Sequence, residues 1–245
     1  MIFEACVNSA RSAAEAWKGG ADRVELCENM TDGGCTPSAG SIILAKQLLP
    51  IPVYVMIRPR GGDFLYTPEE FQVMREDIKM ARSLGADGIV TGILNADGTV
   101  DRPRMAELVC LARPMGITFH RAFDMTNDPF RAMEDIIELG IERILTSGQS
   151  DSAIDGSLII RKLIDQAKGR VIIMPGHGIK EYNITEAINS TGANEFHLYL
   201  PSAMGSNMKY VREYVKMGTS PLSEYKSVII DQEKIRVAKN RMDQS

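Results

Sequence analysis

The chain has 245 residues, 44% of them hydrophobic and 24% charged, with a formal net charge of −4. That is an ordinary globular composition, and an acidic balance with no long basic run argues against a dedicated nucleic-acid or anionic-membrane surface. No apolar run approaches membrane-spanning length. Residues 1–6 show no basic region leading into an apolar one, so no secretory signal is expected. Cys6, Cys27, Cys35 and Cys110 have no C-x-x-C spacing and read as reduced thiols of a cytoplasmic protein.

Strand-like and helix-like segments alternate along the chain. Residues 3–7 predict a strand, and 9–19 a helix with Ser9 as N-cap and Gly19-Gly20 as its stop. Residues 23–27 form the second strand and 38–49 the second helix. The third strand, 53–58, is apolar and β-branched until it meets Arg58-Pro59-Arg60-Gly61-Gly62-Asp63. Alternation places Tyr54, Met56 and Arg58 on one side, so Arg58 would stand at the mouth of a barrel near Glu25 or Glu4. The alternative is a structural arginine that satisfies loop carbonyls.

Thr67-Pro68-Glu69-Glu70 opens a helix to about residue 84. Strand four spans 88–91 with its helix at 102–113, and strand five spans 117–119, running into His120-Arg121. A helix from Asp128-Pro129 to about 139 precedes strand six at 143–146. A helix at about 155–167 leads to strand seven at 171–174, and one at about 180–190 to strand eight at 195–198. A last helix is expected at about 232–241. Residues 199–231 are too long for a plain loop and should carry short structure of their own. With the apolar Tyr210, Val211, Tyr214, Val215 and Met217, they should partly cover the mouth or an oligomer interface.

Eight βα units fit one α/β domain over residues 1–245, a closed (β/α)8 TIM barrel. An open doubly wound sheet is the other candidate, but Val7-Asn8-Ser9 offers no glycine-rich fingerprint after strand one. In a barrel, side chains at the C-terminal strand ends meet at one mouth. Glu4, Cys6, Glu25 and Cys27 would come together from strands one and two. Met56 and Arg58, Thr118 and His120, and Glu195 and His197 would join them from strands three, five and eight. Structure alone could also use these groups: Glu25 and Arg58 as a buried ion pair, Cys6 and Cys27 as small hydrophobes. The turns Thr146-Ser147-Gly148 and Gly176-His177-Gly178 suit an anion bound on backbone N–H groups.

Several stretches together resemble the CutC family, labelled for copper homeostasis. They are Glu4-Ala5-Cys6-Val7, Gly19 through Cys27, Gly33-Gly34-Cys35-Thr36-Pro37-Ser38, Val53 through Phe64, Thr118 through Asp124, Arg143 through Gly148, and Ile173-Met174-Pro175-Gly176. The resemblance implies a TIM barrel, a cytoplasmic location, a copper role and a homo-oligomer, dimer or tetramer. Two residues depart from its pattern: Cys35 replaces a leucine-like residue, and His177 stands where glycine is common.

Two functions compete. In the first, Cu(I), a soft ion, binds to Cys6 and Cys27, with Met56 beside them. In the second, a barrel enzyme acts on a small anionic metabolite. Glu4, Glu25, Arg58, His120 and His197 would be its catalytic groups, and Arg60, Asp124, Ser147, Gly148, Gly176 and Gly178 its ligand-binding groups. No lysine ends a strand, which disfavours Schiff-base chemistry. A ligand sensor without catalysis is a third reading. No organic cofactor motif is evident, and no closed Cys/His set with zinc spacing requires a structural metal.

Overall fold

The computed structural model describes residues 1–212, 214–217 and 223–245. Eight strands, β1 (Ile2–Val7), β2 (Arg23–Leu26), β3 (Val53–Met56), β4 (Gly88–Thr91), β5 (Gly116–Phe119), β6 (Arg143–Thr146), β7 (Ile172–Pro175) and β8 (Glu195–Leu198), pair in parallel. Their order is β7-β6-β5-β4-β3-β2-β1-β8, and the parallel bridge Gly176–His197 brings the two ends together. The sheet is thus the wall of a TIM barrel, and the doubly wound alternative is set aside. Between the strands run α1 (Ala10–Gly19), α2 (Ala39–Leu48), α3 (Pro68–Ser83), α4 (Arg102–Ala112), α5 (Pro129–Glu138), α6 (Ser157–Ala167) and α7 (Ile184–Thr191).

The helices start where their sequences allow a cap. Ser9 Oγ accepts from Ser12 N, and Asp128 accepts from Phe130 N and Arg131 N. Thr67 and Glu70 close a reciprocal capping box ahead of α3. Burial on both faces explains why the strands read as short continuous runs: every residue of β2, β4, β6 and β8 is buried. Alternation divides them into two layers. Phe3, Ala5, Val24, Leu26, Val55, Ile89, Ile117, Ile144 and Phe196 pack outward under the helices in one apolar core. The other face lines the barrel, where Cys6, Cys27, Met56 and Val90 form a separate small cluster.

The barrel interior makes room for one large ring. Tyr54 lies between the guanidiniums of Arg23 and Arg143, 5.1 and 5.6 Å from its centroid. Its neighbours on β4 and β5 are glycines for that reason: a Cβ at Gly88 would fall 2.5 Å from the ring, and one at Gly116 2.2 Å from the Tyr54 hydroxyl.

Beyond β8 the chain makes an antiparallel hairpin, β9 (Pro201–Gly205) and β10 (Lys226–Ile230), before α8 (Gln232–Asp243). This is the structure expected within 199–231. Tyr210, Val211, Tyr214, Val215 and Met217 are all exposed and none of these five lines the cavity at the mouth, whereas Tyr199 does; residues 213 and 218–222 lie outside the described residues. β3 ends at Met56 rather than 58, because Arg58 N turns to Thr36 Oγ1 instead of continuing the ladder. α7 begins at Ile184, after turns at 181–183. Among the described residues, no helix is long and apolar enough to cross a membrane.

Candidate functional site

The floor of the barrel is an ion network. Glu4 is fully buried and accepts from Arg23 Nε; a second Arg23 nitrogen donates to Glu195 Oε2 at 2.7 Å. Arg143 Nε donates to the same Glu195 oxygen at 2.6 Å. Burying an unpaired carboxylate is costly, so each acid on the floor has a cation beside it. Burial pushes the Glu4 carboxyl up, but Arg23 and then His197 outweigh it and hold it down at about 2.

Above the floor, His197 Nδ1 faces Glu4 Oε1 at 2.8 Å, and its Nε2 lies 3.6 Å from Glu25 Oε2. Burial disfavours the imidazolium, yet Glu25, Cys6 and Glu4 together raise His197 well above its ordinary range. Burial raises the Glu25 carboxyl, and Cys27 Sγ donates to its Oε2 at 3.4 Å. Cys6 lies beside them: a hydrogen bond from Cys27, then His197, draws its thiol down to about 5 against the effect of burial. Cys27 stays the protonated partner, raised by its bond to Cys6 and by burial. The ligand atoms of Cys6, Glu25 and Cys27 all lie within 4.8 Å of one another, as do those of Glu4, Glu25 and His197.

These groups open upward into a cavity of about 460 Å³ at the C-terminal ends of the strands. All three histidines of the chain, His120, His177 and His197, line it. So do Arg58, Arg121 and Lys180, while Glu25 is the only acid on its wall among the described residues. His120 Nδ1 accepts from Ala122 N at 3.2 Å, which leaves Nε2 to carry the proton of the neutral ring. Burial, then Arg58, draws His120 down to about 3. Phe64 covers both, its ring 4.9 Å from the His120 ring and 5.1 Å from the Arg58 guanidinium.

Arg58 corrects an expectation. It reaches the mouth but pairs with neither Glu25 nor Glu4. One terminal nitrogen donates to the carbonyls of Asp32 and Gly34, both at 2.7 Å, and the other to Gly62 O at 2.8 Å. The pairing with Glu4 belongs to Arg23, which alternation places inward beside Glu25 but which the sequence reading passed over.

The other candidates divide. Glu25, Cys6, His120, His197, Met56 and Gly178 reach the cavity wall. Cys27 lies behind it against Met56, and Glu4 beneath it on His197. Arg60 does not face the cavity; Glu70, Asp63 and the Tyr66 ring hold it in the turn after β3. Asp124 is saturated by Thr146 Oγ1, Ser147 N and Arg121 Nε, so Ser147 and Gly148 belong to that turn rather than to the lining. A Cβ on Gly176 would fall 2.5 Å from Leu145, which makes this glycine a packing requirement. Lys180, five residues past β7, reaches the wall, and its Nζ donates to Tyr199 O at 3.0 Å. A search of strand ends could not find a lysine supplied by a loop. His177 has φ +74°, in the left-handed region that favours glycine.

Comparison with known proteins agrees with this architecture. The human copper homeostasis protein cutC homolog is 48% identical over 244 residues, which cover 98% of this chain and 89% of that one. A CutC family protein of Parabacteroides distasonis is 49% identical over 237 residues, covering 96% and 98%. The structure of CutC from Streptococcus agalactiae superposes with a TM-score of 0.77 at 35% identity, over 80% of this chain and 97% of that one. The CutC family's sequence model matches residues 1–201, the whole barrel wall from β1 to β8, and the chain therefore belongs to the CutC family.

Proposed function

We propose that this protein serves copper homeostasis by binding Cu(I) at the base of the barrel mouth, through Cys6 and Cys27. The observation that carries this is the convergence of the two sulfurs with a Glu25 oxygen within 4.8 Å, where Met56 and Met30 pack against the cysteines. Thiolates and thioethers are the ligands that soft Cu(I) selects, so the donor set fits the ion. A reducing cytoplasm would keep both sulfurs as thiols and the copper monovalent. The relatives named for copper homeostasis support the same reading.

Within the site, Cys6 and Cys27 would bind the ion, and Glu25 would accept the proton that Cys27 gives up. His197, fixed by Glu4, would balance the thiolate charge from the opposite side. Cu(I) competition against a chromophoric chelator under reducing conditions tests this. One equivalent should be taken up by the native chain and lost in Cys6→Ser/Cys27→Ser. Unchanged uptake by that double variant would remove the site.

A further inference from the structure

A cavity of about 460 Å³ is far larger than one metal ion needs and lies within the usual size of a small-molecule site. Its charge also runs against that of the chain. The protein carries a net −4, yet among the described residues the wall presents Arg58, Arg121 and Lys180 against the single acid Glu25. Buried polar atoms that lack a hydrogen-bond partner concentrate here. Among the described residues they are Glu25 Oε1, Arg58 Nε, His120 Nε2 and Tyr66 Oη, while Arg75 Nε makes no hydrogen bond but lies 2.7 Å from Glu107 Oε1 in an ion pair; the first three belong to residues of this wall. A native interior rarely leaves such atoms unpaired. Copper does not answer the His120 nitrogen: with Nδ1 already accepting from Ala122, its Nε2–H is a donor.

We propose that the mouth also binds a small organic acid, a carboxylate or a phosphate ester, above the Cys6–Cys27 pair. Arg121 and Lys180 hold its charged oxygens, and a further oxygen accepts from His120 Nε2–H. Arg121 is prepared for this. Asp124 takes its Nε at 2.8 Å and Ser147 one terminal nitrogen at 3.0 Å, which fixes the guanidinium plane and leaves the other terminal nitrogen without a partner among the described residues. Lys180 is tethered by one bond to Tyr199 O and has two protons left. Phe64, lying over both His120 and Arg58, is the side chain that moves when the ligand reaches the His120 donor. A focused cationic cleft on an acidic protein draws small anions while repelling large polyanions.

Calorimetric titration of the full chain with inorganic phosphate, glycerol 3-phosphate and malate tests the proposal. One of the two organic acids should bind at least tenfold more tightly than inorganic phosphate. Glycerol 3-phosphate in that place assigns a phosphate ester, and malate assigns a carboxylate. Lys180→Met should weaken that binding at least tenfold, as should His120→Phe, while Cu(I) uptake by Lys180→Met keeps its stoichiometry. Titrating Cys6→Ser/Cys27→Ser separates the two sites, since the acid should still bind when the sulfurs are gone. Absence of binding by all three probes up to about 10 mM, or affinities unchanged in both the Lys180 and His120 variants, overturns the proposal.

Discussion

Replacing Arg58 with methionine keeps most of the side-chain bulk and removes three hydrogen bonds from a guanidinium to backbone carbonyls. Those carbonyls sit on two different loops, at Asp32 and Gly34 after β2 and at Gly62 after β3, so one side chain ties the two loops together. The bonds of Arg58's own backbone to Thr36 survive the change, which confines the loss to the side chain. A hydrogen bond from a charged donor contributes about 1.5–3 kcal/mol, and a buried acceptor left without a partner costs about 1–3 kcal/mol. The bond to Gly34 is buried, whereas those to Asp32 and Gly62 are partly buried, and water can replace part of what those two lose. The net cost is then about 3 kcal/mol. For a domain of this length each kcal/mol lowers Tm by roughly 2–4 °C, so a fall of about 6–12 °C is expected in a thermal melt. Urea unfolding should give the same loss from the midpoint with m unchanged. A fall under about 2 °C would mean that the carbonyls do not depend on this guanidinium, and Arg58 would again be free to act as a ligand clamp.

Three further outcomes follow from the same geometry. Arg23→Met leaves Glu4 with His197 as its remaining partner and should cost about 3 kcal/mol in urea unfolding; Glu4→Gln in the same chain should return much of it, and no recovery would refute the pairing. His120 is held neutral at about 3 when folded but protonates near 6.5 when unfolded, so its contribution is complete above pH 6.5 and falls away as the pH drops toward 3. At pH 5 that loss is about 2 kcal/mol, and His120→Gln should flatten the stability profile between pH 6.5 and 5 by that amount; an unchanged profile would count against the neutral imidazole. His177→Gly should raise stability by about 0.5–1 kcal/mol in thermal unfolding by relieving the positive φ, and a lower Tm would show that the imidazole contributes more than its backbone costs.

Legibility differed sharply between elements and contacts. Strands such as Val53–Met56 and Arg143–Thr146 stand out because burial on both faces demands an unbroken apolar or β-branched run between turn residues. Helix starts at Ser9, Thr67 and Asp128 stand out because the cap is a local bond between near neighbours. The composition of the mouth was also legible. A period of two places Glu4, Cys6, Glu25, Met56, His120 and His197 on the inner face, whatever the loops do. The mobile reach of long side chains was not legible. Pattern left Arg58 open between a clamp and a structural arginine and made Arg60 a ligand-binding group, yet Arg58 is taken by loop carbonyls and Arg60 by Glu70.

By itself, then, the order of residues determined the eightfold βα repeat, the inward parity of the ionisable groups and the family, since each depends on short-range pattern or on many matched positions. Only the tertiary structure decided which cation meets which acid. Arg23 reaches Glu4 because parallel register sets them side by side on β2 and β1, and Arg58 is drawn instead to Asp32, Gly34 and Gly62. It also decided that Lys180 joins the wall from a loop, and that Asp124 is filled by its own turn. Those outcomes depend on distances between segments far apart in the chain. There a guanidinium or ammonium on a long stem takes whichever acceptor the fold brings within hydrogen-bond range, and residue spacing carries no record of that choice.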